Sequence, residues 1–312
     1  MFVGSGRSGT TLFGLIFDTH PELAVAHEAH FVAAIAVQHR SLLEPDGFDT
    51  ERFLQALAAN SNFRRLGMPT PDVERQIRDT RPESYADAVR SVFELFATRH
   101  GKRLYGDKTP GYVNHLDLLG GLFPEAKFVH ILRDGRDVAL AYLDRPEWGP
   151  RTVAEAAYYW RTRVQRGHLS GRRLGQERYR EVRYEALIDD PEATVSEVCT
   201  FLGLGFAPEM LSYHEKGVPF AASTRDPEAF ASSASPITKG LRDWREQMTR
   251  GDVVLFEAIA GDVLADLGYE PSGLTPNVGT RLRVGAAGAR WQLRRVGARL
   301  RRSSRRYPRL AP

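Results

Sequence analysis

The sequence has 312 residues, of which 42% are apolar and 26% charged, a balance that fits a water-soluble globular chain with one α/β core and insertions. It contains no apolar run long enough for a membrane span, and its single cysteine, Cys199, excludes an internal disulfide framework and a cysteine-based metal cluster. The formal net charge of +4 is uneven: residues 281–312 hold eleven arginines and no acid, leaving 32 Lys and Arg against 39 acids before them, so the body of the chain has no nucleic-acid-binding balance.

Phe2 and Val3 lead into Gly4, Gly6 and Gly9, then Thr10, Thr11 and the apolar run Leu12 to Phe17. The pattern predicts a strand, a tight loop and a buried helix starting near Ser8. Such a loop cradles a phosphate. Glycine lets the backbone approach an anion, and the free N–H groups and positive dipole end of the helix face it. Arg7, Ser8, Gly9, Thr10 and Thr11 are the candidate anion-binding residues. The G-x-x-x-x-G spacing is that of a nucleotide-binding P-loop, but Thr10 stands where its lysine belongs, which argues against ordinary ATP or GTP hydrolysis. The run Arg7-Ser-Gly-Thr-Thr-Leu12 resembles instead the 5′-phosphosulfate loop of sulfotransferases that use 3′-phosphoadenosine 5′-phosphosulfate (PAPS).

After the first helix, Pro21 ends a turn, Leu23 to Ala26 reads as a short buried strand, and Glu28 emerges at its end, where ligands sit in an open parallel sheet. The order R-S-G-T-T-L, H-P-E, then a glutamate six residues on resembles the tyrosylprotein type and several bacterial sulfotransferases. That resemblance implies that Glu28 is the catalytic base. Residues 31–100 read as a helical insertion, with helical spacing over Phe31 to Val37, Phe53 to Leu57 and Tyr85 to Phe96 and proline-containing loops between. The insertion is expected to shape the acceptor pocket, while its aromatics serve as helix core. Arg103 to Pro110 predicts a brief strand ending at Lys108, placed to neutralise the oxygen that bridges sulfur and phosphorus. Its D-K-T-P context resembles the family's second catalytic position. Thr109 and Pro110 follow where many cytosolic members carry a histidine base, which leaves that role to Glu28, with His27, His30 and His115 as alternatives.

Phe128 to Leu132 predicts a strand with Arg133 at its carboxyl end, able to pair a phosphate through its guanidinium. The segment R-D-G-R-D-V resembles the family's 3′-phosphate site, with Ala141 in place of the usual serine and Arg145 at the position of a further cofactor-binding arginine. Tyr179 to Tyr184 alternates like a strand, and the Y-E-A-L segment resembles one in which the tyrosine, here Tyr184, lies beside the cofactor. A buried tyrosine with a bonded hydroxyl is the structural alternative. Pro191 opens a helix to Leu202, closed by Gly203; Cys199 lies on its apolar side as a core thiol. Ser233, Ser235 and Lys239 fall in an irregular stretch before Trp244, where family members close a loop over the adenosine. A helix from Asp252 to Leu267 ends the catalytic region.

The chain therefore reads as an α/β protein with a P-loop-like, central, mainly parallel sheet flanked by helices: a sulfotransferase domain over 1–275 and an arginine-rich tail over 276–312. The resemblance implies an enzyme that moves a sulfuryl group from PAPS to a hydroxyl or amine of an acceptor, with no metal required. Peptides, carbohydrates, glycolipids and small natural products are all open as acceptors. A P-loop kinase or hydrolase without its lysine and a non-catalytic PAPS-fold binding protein are the competing readings. The tail suggests a helix lying on an anionic membrane or reaching an acidic partner, with a solvated tail as the alternative. The expected location is the cytoplasm, peripheral to the inner membrane surface, with no nucleic-acid partner.

Overall fold

The computed structural model describes residues 1–44, 48–215, 235–238 and 242–304, with Trp148 and residues 294–304 described through their backbone alone. The chain forms two compact units, the first made of residues 1–133 with 163–241 and the second of 134–162 with 242–312.

In the first unit, five strands form one sheet: β1 (Phe2–Gly4), β2 (Leu23–His27), β3 (Leu104–Lys108), β4 (Phe128–Leu132) and β5 (Tyr179–Arg183). Their spatial order is β2-β3-β1-β4-β5, and every pairing is parallel. A sheet covered on both faces needs strands that are apolar throughout, and β4, Phe-Val-His-Ile-Leu, is buried at every position. β1 lies in the middle because the chain leaves it toward β2 on one side and later returns to β4 on the other. That reversal opens a crevice at the carboxyl end of the central strand.

The helices follow local chemistry. Helix α1 (Thr10–Asp18) begins later than the expected Ser8, because Gly9 occupies the cap position in a left-handed conformation with φ 86°. The insertion contains α2 (Phe31–Gln38), α3 (Thr50–Ala59), α4 (Thr70–Thr80) and α5 (Tyr85–Arg99). The proline-containing loops expected between the helices of the insertion hid α4; Pro71 stands in that helix's first turn, where its missing N–H costs nothing. The aromatics of the insertion pack on one another: Phe31 against Phe63 and Phe93, and Phe53 against Tyr85, with ring centroids 5.7–5.9 Å apart. Tyr85 donates its hydroxyl to the Val32 carbonyl at 2.6 Å, so this cluster is core, as the sequence suggested.

Helix α6 (Leu116–Leu122) precedes β4, and α7 (Gly135–Leu143) follows it with Asp134 as its cap, accepting from the Arg136 N–H. The helix α8 (Val153–Leu174) leads to β5. Strand β5 ends at Arg183, one residue short of the expected Tyr184, which opens α9 (Tyr184–Asp189). Helix α10 (Pro191–Leu202) has the predicted bounds, capped by Asp190 on the Ala193 N–H and ended by Gly203 at φ 79°. Cys199 is buried on it, and burial pushes its thiol up to about 11, the behaviour of a core residue.

The second unit contains α7, α11 (Trp244–Gln247), α12 (Arg250–Asp266) and α13 (Val278–Ser304). Its buried centre includes Trp160 and Phe256, ring centroids 5.9 Å apart, and Arg136.

Candidate active site

Each strand of the sheet ends in a residue of the candidate site. The β1 loop carries Ser5 to Gly9; Glu28 follows β2; Lys108 closes β3; Arg133 follows β4; Tyr184 follows β5. Parallel pairing aligns these ends, with His27 opposite Lys108, Gly4 opposite Ile131 and Leu132 opposite Arg183.

The loop is shaped for close approach. Arg7 has φ 67° without being glycine, and Ser8 donates its N–H to the Ser5 carbonyl at 3.3 Å. A Cβ on Gly9 would lie 2.3 Å from Tyr184 Cδ2, so only glycine fits beneath that ring. The Arg133 guanidinium stacks over the same ring at 4.4 Å, and its Nη1 donates to the Arg7 carbonyl at 3.4 Å. Arg7, Gly9, Tyr184 and Arg133 thus form one contiguous corner. Ser5 and Ser8 are each 1% exposed, and their hydroxyls are buried without a hydrogen-bond partner among the described residues. Two hydroxyls of this kind beside a helix N-terminus suit an anion and fit the 5′-phosphosulfate end of PAPS.

On the other side of the loop, Lys108 Nζ lies 3.1 Å from Glu28 Oε1 and 3.4 Å from Thr11 Oγ1. The lysine side chain is 3% exposed and the glutamate 35%, so the pair opens to solvent through the carboxylate. Glu28 is held by its backbone, donating its N–H to the Lys108 carbonyl at 2.8 Å in a left-handed conformation with φ 57°. His30, at φ 42°, places Nε2 3.4 Å from Glu28 Oε2 and rests edge-on against Tyr112. Two non-glycine residues in this region within three positions cost of order 1–3 kcal/mol each, strain that concentrates at functional sites.

The charges follow from this packing. Burial pushes the Glu28 carboxyl up, but the Lys108 charge together with His30 outweighs it and holds the group below the usual carboxylate range. Burial, with Lys108 alongside, pushes the His27 imidazole down to about 3, too weak for a base at neutral pH. Asp107, buried and accepting from Thr109 Oγ1 at 2.6 Å, is pushed up to about 6 by that burial.

The first unit therefore brings together Arg7, Ser8, Gly9, Thr10, Thr11, Glu28, Lys108, Arg133 and Tyr184. Arg145 belongs to the second unit, at the start of a short turn after α7. Ser235 is exposed, its carbonyl accepting from the Tyr213 hydroxyl, while Ser233 and Lys239 lie outside the described residues. Sequence reasoning missed Ser5, Asp107 and Tyr112; a hydroxyl residue between two glycines of the loop was the available signal for Ser5. Among the described residues, no group of three or more His, Cys, Asp or Glu side chains is arranged to hold a metal ion.

Comparison with known proteins agrees with this geometry. Residues 1–208 match the family model described as the sulfotransferase family, and residues 158–268 match that of the sulfotransferase domain. The chain is 24% identical to protein-tyrosine sulfotransferase 2 of Gallus gallus, over 89% of this chain and 71% of that protein. It is likewise 24% identical to the nodulation protein NoeE of Sinorhizobium fredii, over 86% and 65% of the two chains. Among solved structures, the sulfotransferase domain from the curacin biosynthetic pathway has the same fold, with TM-score 0.61, 19% identity and coverage of 88% and 97%. The sulfotransferase domain of the Synechococcus PCC 7002 olefin synthase aligns with TM-score 0.56, 23% identity and coverage of 86% and 94%. The kinase and non-catalytic readings are thereby set aside: the chain belongs to the sulfotransferase family, enzymes that move a sulfuryl group from PAPS to an acceptor.

Proposed function

We propose that Glu28 and Lys108 perform this transfer in line, from the phosphosulfate of PAPS to an acceptor hydroxyl or amine. The observation that carries the assignment is the Lys108–Glu28 pair, 3.1 Å apart at two adjacent strand ends and touching Thr11 of the phosphate loop. PAPS supplies a sulfuryl group joined to its 5′-phosphate through one bridging oxygen. Glu28 takes the acceptor's proton as the nucleophile attacks sulfur. Lys108, Arg7 and the first N–H groups of α1 meet the charge that develops on the sulfuryl and bridging oxygens. Ser8, Gly9, Thr10 and Thr11 hold the 5′ end, and Arg133, backed by Tyr184, holds the 3′-phosphate. The family resemblance assigns Arg145, Ser233, Ser235 and Lys239 to the donor as well, and in this reading no metal is required.

The pair also explains how an acid so strongly held can act as a base. Lys108 in its resting contact stabilises the carboxylate; once its ammonium turns to the bridging oxygen, Glu28 loses that charge and becomes more basic. His30 keeps the second carboxylate oxygen in place during the exchange.

Residues 1–275 act as the catalytic domain, with 31–100 shaping the acceptor side. Relatives named for protein tyrosine and for nodulation fit a hydroxyl acceptor carried by a larger molecule. We place the enzyme in the cytoplasm, touching an anionic membrane through residues 276–312. Glu28→Gln and Lys108→Ala, assayed with labelled PAPS and a panel of tyrosine peptides and oligosaccharides, should each lose about a hundredfold or more in turnover. Adenosine 3′,5′-bisphosphate should still raise the melting temperature of Glu28→Gln. Full turnover by both variants would overturn the assigned roles.

A further inference from the structure

Helix α13 leaves a line of large aliphatic side chains in water. Val278 is 73% exposed, Leu282 71% and Leu293 71%. At 100° per residue these three fall within about 60° of one another on the helix. The opposite side is held by the rest of the second unit: Thr280 is buried, and Trp291 stacks on Tyr158 with centroids 5.9 Å apart and planes 16° apart. The helix is therefore docked by one face and presents the other.

Arginine borders that outward stripe on both sides. Arg281 flanks one edge, and Arg283 and Arg290 the other, where they also line a cavity beside Glu155 and Asp252; all three are exposed. The whole segment 281–312 has eleven arginines and no acid. These two features narrow the occupant. A second copy of the same face would bring the aliphatics together but set one arginine-rich, acid-free segment against another. An acidic polypeptide or a nucleic acid would satisfy the guanidiniums and leave the leucines without an apolar environment. A bilayer surface bearing anionic headgroups satisfies both, with aliphatics at the acyl boundary and arginines at the phosphates.

We propose that the exposed face of α13, defined by Val278, Leu282 and Leu293 with Arg281, Arg283 and Arg290, is a docking surface for an anionic lipid bilayer. The proposal sharpens the reading of the carboxyl-terminal segment as a membrane contact and is independent of sulfuryl transfer. It is tested by flotation of the full chain with phosphatidylcholine vesicles, with and without phosphatidylglycerol. The wild-type chain should float only with phosphatidylglycerol and be partly released by salt. Leu282→Asp combined with Leu293→Asp should weaken binding by roughly tenfold or more, because charge alone holds such a helix poorly. Its melting temperature and its affinity for adenosine 3′,5′-bisphosphate should stay unchanged. A Leu293→Trp variant should shift its emission to the blue with the anionic vesicles. Three results would each overturn the proposal: no flotation of the wild type, undiminished flotation of the double variant, or a dimer in sedimentation that the double variant dissolves.

Discussion

Arg136 and Lys108 are both buried cations, and the contrast between them separates structure from function. Arg136, fully buried, donates to Asp134 through Nε at 3.0 Å and Nη2 at 2.7 Å, to Glu257 at 2.6 Å and to the Glu270 carbonyl at 2.9 Å. Its guanidinium also lies 3.6 Å over the Trp244 ring. Asp134 caps α7 and Glu257 accepts from Ser272, so all three nitrogens of the cation are bonded and its partners are employed elsewhere. Lys108 has two longer contacts, at 3.1 and 3.4 Å, and its carboxylate partner faces solvent. A cation with every donor nitrogen engaged can only hold; one with a loose, half-open partner can exchange it.

Removal of each cation should break the two regions differently. Arg136→Met strands two carboxylates in the second unit and should cost about 3–5 kcal/mol of stability, measured by urea unfolding. A loss under about 1 kcal/mol would show that the clamp does not hold the fold. Lys108→Met should reduce kcat/KM by roughly 10²–10³-fold with little change in the unfolding midpoint, since Glu28 is already partly hydrated. If Lys108→Met unfolds the protein as Arg136→Met does, the contrast fails. Smaller again is Gly9→Ala, whose Cβ would enter the Tyr184 ring at a φ of 86°. It should weaken adenosine 3′,5′-bisphosphate binding on the order of tenfold by calorimetry. Unchanged affinity would remove the Gly9–Tyr184 corner from the donor site.

The same contrast explains what could be read in the sequence. Residues whose identity is forced by backbone geometry left a mark: the Gly4 to Gly9 loop, Lys108 before a proline and Arg133 after an apolar run all announced strand ends. The parallel sheet followed from short apolar strands separated by helices. The Arg136 clamp left no such mark, because Asp134, Glu257 and Glu270 are scattered along the chain and only folding brings them together. The support around Glu28 was hidden for a related reason: His30 takes its role from an uncommon backbone conformation that residue types alone do not specify. Helix α4 was obscured by prolines that open a helix as readily as they end a loop.

The finest test concerns pH. In the free enzyme the Lys108 charge and His30 prevail over burial and keep Glu28 below the usual carboxylate range, so it stays ionised, and able to accept a proton, well into acid. With Glu28 as the proposed base, kcat/KM should be lost only as pH falls through that lowered value. His27 contributes no limb near neutrality, because burial has already pushed it down to about 3. The profile of kcat/KM for the donor reports the free enzyme, whereas kcat reports the loaded complex. If Lys108 leaves Glu28 for the donor's bridging oxygen, the carboxyl must become a weaker acid at that moment. The acid limb of kcat should then lie about one pH unit or more above that of kcat/KM, as expected for losing a charge interaction of about 1.4 kcal/mol. Lys108→Met should lift the kcat/KM limb toward an ordinary carboxylate, and coincident limbs in the wild type would mean that the lysine never changes partner. A wider separation would in turn place more of the rate enhancement in the exchange itself, because the base then gains strength only when the donor is in position.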